Sequence, residues 1–136
     1  MTPAPLDPLL RAHAAAAPRT LVDIWRDTVT AYPDELAVDS GVSTLRYAEM
    51  DEAAAALADR LAQIGVGPGD RVGIRVRSGT TDLYVAILGV LNAGAAYVPV
   101  DADDPDERAR VVFAEAGVAA VVTNDLAVSR RRTGPG

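Results

Sequence analysis

Three stretches of this 136-residue chain carry residue types at spacings that could support chemistry. The first, Gly65-Val66-Gly67-Pro68-Gly69-Asp70, has the glycine density of a loop whose backbone N–H groups cradle a phosphate. Such a loop follows a strand and opens a helix. Here the apolar pattern places a helix before it and a strand after it, so a turn is expected. The second, Ser78-Gly79-Thr80-Thr81, does fall between a strand and a helix, where free N–H groups can hold an anion. It has no Gly-Lys-Ser/Thr ending and no lysine to neutralise a phosphate, so helix capping is the expected role. The third is an acidic cluster of Asp101, Asp103, Asp104, Asp106 and Glu107. A calcium loop needs ligands at alternating positions, a central glycine and a later bidentate glutamate. Pro105 interrupts that spacing and the glycine is missing; carboxylates set against the positive end of a helix dipole account for the cluster better. His13, the only histidine, has no candidate partner nearby in sequence. Arg130-Arg131-Arg132 reads as a solvated basic run. No cysteine exists to act as a nucleophile, and no serine lies in a Gly-x-Ser-x-Gly context. The sequence therefore assigns no catalytic, cofactor-binding or metal-ligating residue.

Composition bounds the partners. Net charge is −6 and the sequence pI about 4.6, which argues against nucleic acid or an anionic membrane as the main partner. All 13 basic residues are arginine. Without cysteine, disulfides and thiolate metal sites are excluded and a cytoplasmic setting is expected. No apolar run approaches the roughly 20 residues of a spanning helix. The Ala12–Ala17 run is interrupted by His13 and lacks the pattern of a signal peptide.

The elements that would position these residues follow from periodicity. Residues 1–19 are rich in Ala and Pro, without a clean period, and are expected to form a flexible leader. Thr20 starts a helix, with Asp23 three residues on and Leu21, Ile24, Trp25, Thr28 and Tyr32 on one face; Pro33 stops it. Short strands at 36–39 and 43–47 flank Ser40-Gly41 as a hairpin. The helix at 49–64 places Met50, Ala53, Leu57, Leu61 and Ile64 on one side and Asp51, Glu52, Asp59 and Arg60 towards water. A strand at 71–76 follows, with Val72, Ile74 and Val76 alternating against arginines. The helix at 81–93 is apolar nearly all round, which predicts burial on more than one face. Gly94 ends it. Ala95 to Val98 is expected as a buried strand closed by Pro99, which has no N–H to donate. Asp104 as N-cap, Pro105 at the first helical position and Glu107 reaching back start the next helix, which runs to Ala116. Its inward face is Ala109, Val112, Phe113 and Ala116. Residues 119–123 form a last strand, and 124–136 are expected as a disordered tail. From Arg71 onward, strands and helices alternate, which defines an α/β fold with a small, mostly parallel sheet and right-handed crossovers.

The stretch Leu91-Asn92-Ala93-Gly94-Ala95-Ala96-Tyr97-Val98-Pro99-Val100-Asp101 resembles the LKAGAAYVPLDPxYPxER signature of the adenylation domains of nonribosomal peptide synthetases, within the AMP-forming ligase superfamily. Gly94, Ala95, Ala96, Tyr97, Val98, Pro99, Asp101, Pro105, Glu107 and Arg108 fall on the pattern. Asn92 replaces its Lys, and Ala102 and Asp104 replace its Pro and aromatic residue. Leu45-Arg46-Tyr47-Ala48-Glu49-Met50 is similar to the family's LTYxEL signature. There Arg46 replaces a capping threonine, a loss of about 1 kcal/mol in local stability. Gly65 to Val72 matches its GVxxGDRV run. The Asp-Ala-Asp-Asp-Pro wording at 101–105 is most like single-module synthetases of the polylysine-synthetase type.

The resemblance spans residues 20–123 and implies the opening part of the N-terminal subdomain of an adenylation domain, a partial adenylate-forming fold. It implies ATP and Mg²⁺ as cofactors of the full-length enzymes, which convert an amino acid to its aminoacyl-AMP and pass the acyl group to a carrier protein. The phosphate-contacting loop, the ribose-binding Asp, the late catalytic Lys and the substrate-selecting residues of that family all lie later than the matching stretch, and the Ser129–Gly136 ending departs from the family's wording. The expectation is a truncated or split adenylation domain, inactive alone, that needs the remainder of the domain or a downstream carrier protein. A non-catalytic interaction module, a small independent nucleotide-binding domain and a fragment of an acyl-CoA synthetase are the alternatives.

Overall fold

A computed structural model describes residues 20–131. The expected leader and the last five residues, with His13 and Arg132, lie outside the described residues. Helix α1 (Leu21–Ala31) opens with the capping box that its sequence calls for. The Thr20 hydroxyl accepts from the Asp23 N–H at 3.1 Å, and the Thr20 N–H donates to Asp23 Oδ2 at 3.2 Å. The hairpin follows as β1 (Leu36–Asp39) and β2 (Thr44–Arg46), antiparallel, with a bulge between Leu36 and Val38. Helix α2 (Tyr47–Gln63) starts two residues earlier than periodicity suggests. The Arg46 N–H donates to Glu49 Oε1 at 2.9 Å. That is the glutamate's half of a capping box; arginine has no acceptor for the other half. The Arg46 guanidinium instead reaches back to the Asp34 carbonyl.

The remaining elements are β3 (Arg71–Arg75), α3 (Thr81–Asn92), β4 (Ala96–Pro99), α4 (Asp106–Ala116), β5 (Ala120–Thr123) and β6 (Ala127–Arg130). The sheet order is β4-β3-β5-β6, with β4 and β5 parallel to β3, and β6 antiparallel to β5. The step from β3 to β4 and the step from β4 to β5 run in opposite directions along the sheet. Right-handed crossovers then place α3 and α4 on opposite faces, and two separate cores lie there. On one face, Val72, Ile74, Val76, Ala120 and Val122 pack against Leu57 and Leu61 of α2 and Ala86 and Val90 of α3. On the other, Val100, Ala109, Phe113 and Val118 form a smaller core.

Two glycines permit this packing. Gly73 lies under the Phe113 ring, where a β-carbon would come within 2.6 Å of Phe113 Cε1. Gly89 lets α3 lie against Leu57, whose Cδ2 would be 2.5 Å from an added β-carbon.

Four expectations need correction. Residues 124–131 are ordered: a 3-10 turn (Asn124–Leu126) reverses the chain into β6. Asp125 and Leu126 both take positive φ, so the turn is made without glycine or proline, and Asn124-Asp125, residue types that tolerate this conformation, is its one local signal. The strand after Gly94 is an edge rather than a buried centre: Ala96, Tyr97 and Pro99 are exposed, and only the flanking Ala95 and Val100 are buried. The Ala96 and Val100 N–H groups donate to carbonyls at Asp70 and Ile74, on the β3 side. By alternation position 99 faces away from β3, where a missing N–H breaks no ladder bond. Helix α4 begins at Asp106 with Pro105 as N-cap, and Asp104 makes no cap. Finally, α3 buries one face only. Val85, Ala86, Gly89 and Val90 are buried, while Tyr84 is exposed and Ile87, Leu88 and Leu91 are half-buried. Among the described residues no helix is long and apolar enough to cross a membrane.

Candidate functional site

In an open parallel sheet, ligands gather outside the carboxyl ends of the strands, where neighbouring connections depart in opposite directions. Here that point lies between β3 and β5. It is spanned by a hydrogen bond: Asn124 Oδ1 accepts from the Arg77 N–H at 3.0 Å. The Ser78–Thr81 loop sits beside it. Thr80 is the N-cap of α3. Its hydroxyl donates to the Arg77 carbonyl at 2.7 Å and accepts from the Leu83 N–H at 3.3 Å. The hydroxyl is thus used in both directions to fold the loop. Capping, the role expected from sequence, is what the geometry provides.

The Gly65–Asp70 stretch is a turn between α2 and β3. The Gly67 N–H donates to Asp70 Oδ2 at 2.8 Å, and the Asp70 N–H returns to the Gly67 carbonyl at 3.1 Å. The carboxylate that could have faced a ligand closes the turn instead.

The acidic loop is distributed, not convergent. Asp101 Oδ1 accepts from the Asp103 N–H at 2.9 Å. Asp104 pairs with Arg108 at 3.2 Å, Glu107 with Arg110, and Asp106 with Arg75 at 2.7 Å. Glu107 therefore does not reach back to a cap. No group of three or more carboxylates or histidines among the described residues could hold a metal ion. Periodicity alone missed the organising residue, Arg75. From the carboxyl end of β3 its Nη2 also donates to the Asp104 carbonyl at 2.6 Å, so one side chain holds both sides of the Asp104–Asp106 turn. Its place as a polar position in an alternating strand predicted exposure and gave no hint of a partner 29 residues on.

ATP and Mg²⁺, which the family resemblance implies, do not fit these residues as a set. The carboxylates would repel a triphosphate, those of Asp101, Asp104, Asp106 and Glu107 are already engaged, and the Thr80 hydroxyl is used in capping. What the arrangement does is position: it fixes the strand ends and the loop after β4.

A further feature lies on the outer side of α3. Helices α1, α2 and α3 enclose an apolar groove of about 380 Å³, lined by Leu21, Ile24, Trp25, Met50, Tyr84 and Leu88 among others. Trp25 is oriented by a 2.9 Å hydrogen bond from its indole N–H to Asp51 and by a tilted contact with the Tyr47 ring, centroids 5.5 Å apart. Leu21 is 66% and Ile24 46% exposed, so the face of α1 that periodicity marks as inward is only partly covered.

Comparison with known proteins agrees with this fold. The sequence profile of the family described as AMP-binding enzyme matches residues 25–134. Gramicidin S synthase 2 of Brevibacillus brevis is 40% identical over 101 residues, covering 74% of this chain and 2% of that protein. Surfactin synthase subunit 3 of Bacillus subtilis is 36% identical over 119 residues, covering 88% and 9%. The N-terminal subdomain of Klebsiella oxytoca NpsA, solved with 3-hydroxybenzoyl-AMSN, superposes with a TM-score of 0.69 at 27% identity, over 76% of this chain and 26% of that one. The chain belongs to the AMP-binding enzyme family. Within it, the chain corresponds to part of a nonribosomal peptide synthetase adenylation domain, and it spans only a small fraction of the relatives it matches.

Proposed function

We propose that these residues are the structural opening of an amino-acid-activating unit, in which ATP and an amino acid are converted to aminoacyl-AMP and pyrophosphate with Mg²⁺, before transfer to a carrier-protein thiol. In this reading the chain supplies scaffold, and the groups that grip the triphosphate and select the amino acid come from elsewhere in the unit. The carrying observation is the match over residues 25–134 to the AMP-binding family, joined to a superposition on about a quarter of an adenylation subdomain. The doubly bonded Thr80 hydroxyl and the paired carboxylates support a positioning role. The wording of residues 94–101 favours an amino-acid-activating relative over an acyl-CoA synthetase. The Asp101–Pro105 variant favours the polylysine-synthetase type within it.

Amino-acid-dependent exchange of pyrophosphate into ATP tests the reading in two arms. The 136-residue chain alone should give no exchange above background; exchange by the chain alone overturns the scaffold role. Residues 20–123 grafted in place of the matching stretch of an active adenylation domain should retain exchange with the host's amino-acid preference. A switch in preference would overturn the claim that selection lies elsewhere.

A further inference from the structure

The open edge of the sheet at β6 carries an inference that does not depend on the proposed activity. Strand β6 pairs with β5 on one side only. The Arg131 N–H donates to the Ala119 carbonyl at 3.0 Å, and the Ala127 N–H to the Asn124 carbonyl, so both residues turn their N–H groups towards β5. Bonded and unbonded positions alternate along an antiparallel strand. Val128 and Arg130 therefore turn their N–H and C=O groups away from the sheet, a row that offers itself to another strand. The opposite edge differs: β4 has Pro99 in its outward row, whereas β6 has no proline.

The charges along this edge are self-complementary. Asp125 precedes the strand, and Arg130 and Arg131 close it. None of the three has an ion-pair partner among the described residues. Laid antiparallel against a second copy with Val128 on the twofold axis, the outward groups of the two Val128 residues bond to each other. In that register Ala127 faces Ser129, and Asp125 of each copy comes opposite Arg131 of the other. Parallel pairing would instead set like charges side by side.

We propose that two copies of this chain pair through β6 about a twofold axis at Val128, joining two four-stranded sheets into one. The occupant is a second copy because the edge complements itself in charge and in hydrogen bonding. Leu126 and Val128 already pack against the larger core, and pairing covers what the two Val128 side chains still expose. A twofold contact uses both β6 edges and closes at two copies.

Sedimentation velocity of the full chain over a concentration series tests this. A species of twice the 14.2 kDa of one chain should grow with concentration; a monomer at every concentration overturns the proposal. Asp125→Arg and Arg131→Asp each place like charges across the axis, and each variant should be monomeric alone. Their equimolar mixture restores two opposite-charge pairs and should form a heterodimer. A mixture that stays monomeric overturns the proposal. So does a dimer that survives in both single variants, because it then uses another surface, such as the α1–α3 groove. If Asp125→Arg does not fold at the positive φ of 62° found there, Asp125→Asn decides the matter, since asparagine accepts that conformation. Loss of the charge should weaken dimerisation about fivefold, and undiminished dimerisation sinks the idea.

Discussion

Gly89 and Gly73 are the residues at which the packing of this molecule is least forgiving. An alanine at Gly89 gains helix propensity, about 1 kcal/mol. Its methyl group, however, falls within 2.9 Å of the Leu57 β-carbon as well as on the flexible end of that side chain. Overpacking of this kind costs about 1–3 kcal/mol, and the backbone-proximal contact puts Gly89 towards the upper part of that range. Gly89→Ala should therefore lower the urea midpoint of the chain with an unchanged slope; a raised midpoint would mean that α2 and α3 separate freely. Neither glycine is legible as a contact site from sequence. Gly73 interrupts an alternating strand and Gly89 an apolar helix, and both patterns read the same whether the space is empty or filled. Thr20 is the opposite case. Its hydroxyl acts within four residues, so the local string contained the whole interaction.

Between elements, the main links were visible where they depend on periodicity and hidden where they depend on a single long side chain. The alternation of strands and helices after Arg71 was enough to specify a parallel sheet, and β3 lies at its centre between β4 and β5. The placement of β4 at the edge, and the existence of β6, were not legible. Edge position is a property of the whole sheet, and β6 is only four residues long, entered through a turn with no glycine. Arg75 is the clearest instance of a hidden link. Because Asp106 is 97% exposed at its side chain, the ion pair itself contributes little. The bond to the Asp104 carbonyl is the larger part, and the two together are worth about 1 kcal/mol. Arg75→Met should leave the global melting temperature nearly unchanged but raise amide hydrogen exchange at residues 101–106. Unchanged exchange there would show that the loop is held by other contacts.

At the scale of the whole molecule, two cores share one sheet. The acidic loop, the glycine turn and the Ser-Gly-Thr-Thr capping site are each tied into hydrogen bonds or ion pairs that hold a turn or a helix end. Family membership was legible because the Gly94–Asp101 string is long and specific; the groove was not, because a helix face looks inward in sequence whether or not anything covers it. One consequence follows from Pro99. A bare strand border invites another chain to pair along it and seed fibrils. Proline removes a donor from the outward row of β4, leaving a template that a second β-strand reads poorly. Pro99→Val restores the donor with a strongly β-forming side chain. That variant should develop thioflavin T fluorescence on prolonged incubation under conditions where the parent solution remains clear; equal behaviour of the two would mean that the border is already guarded by something other than the imino acid.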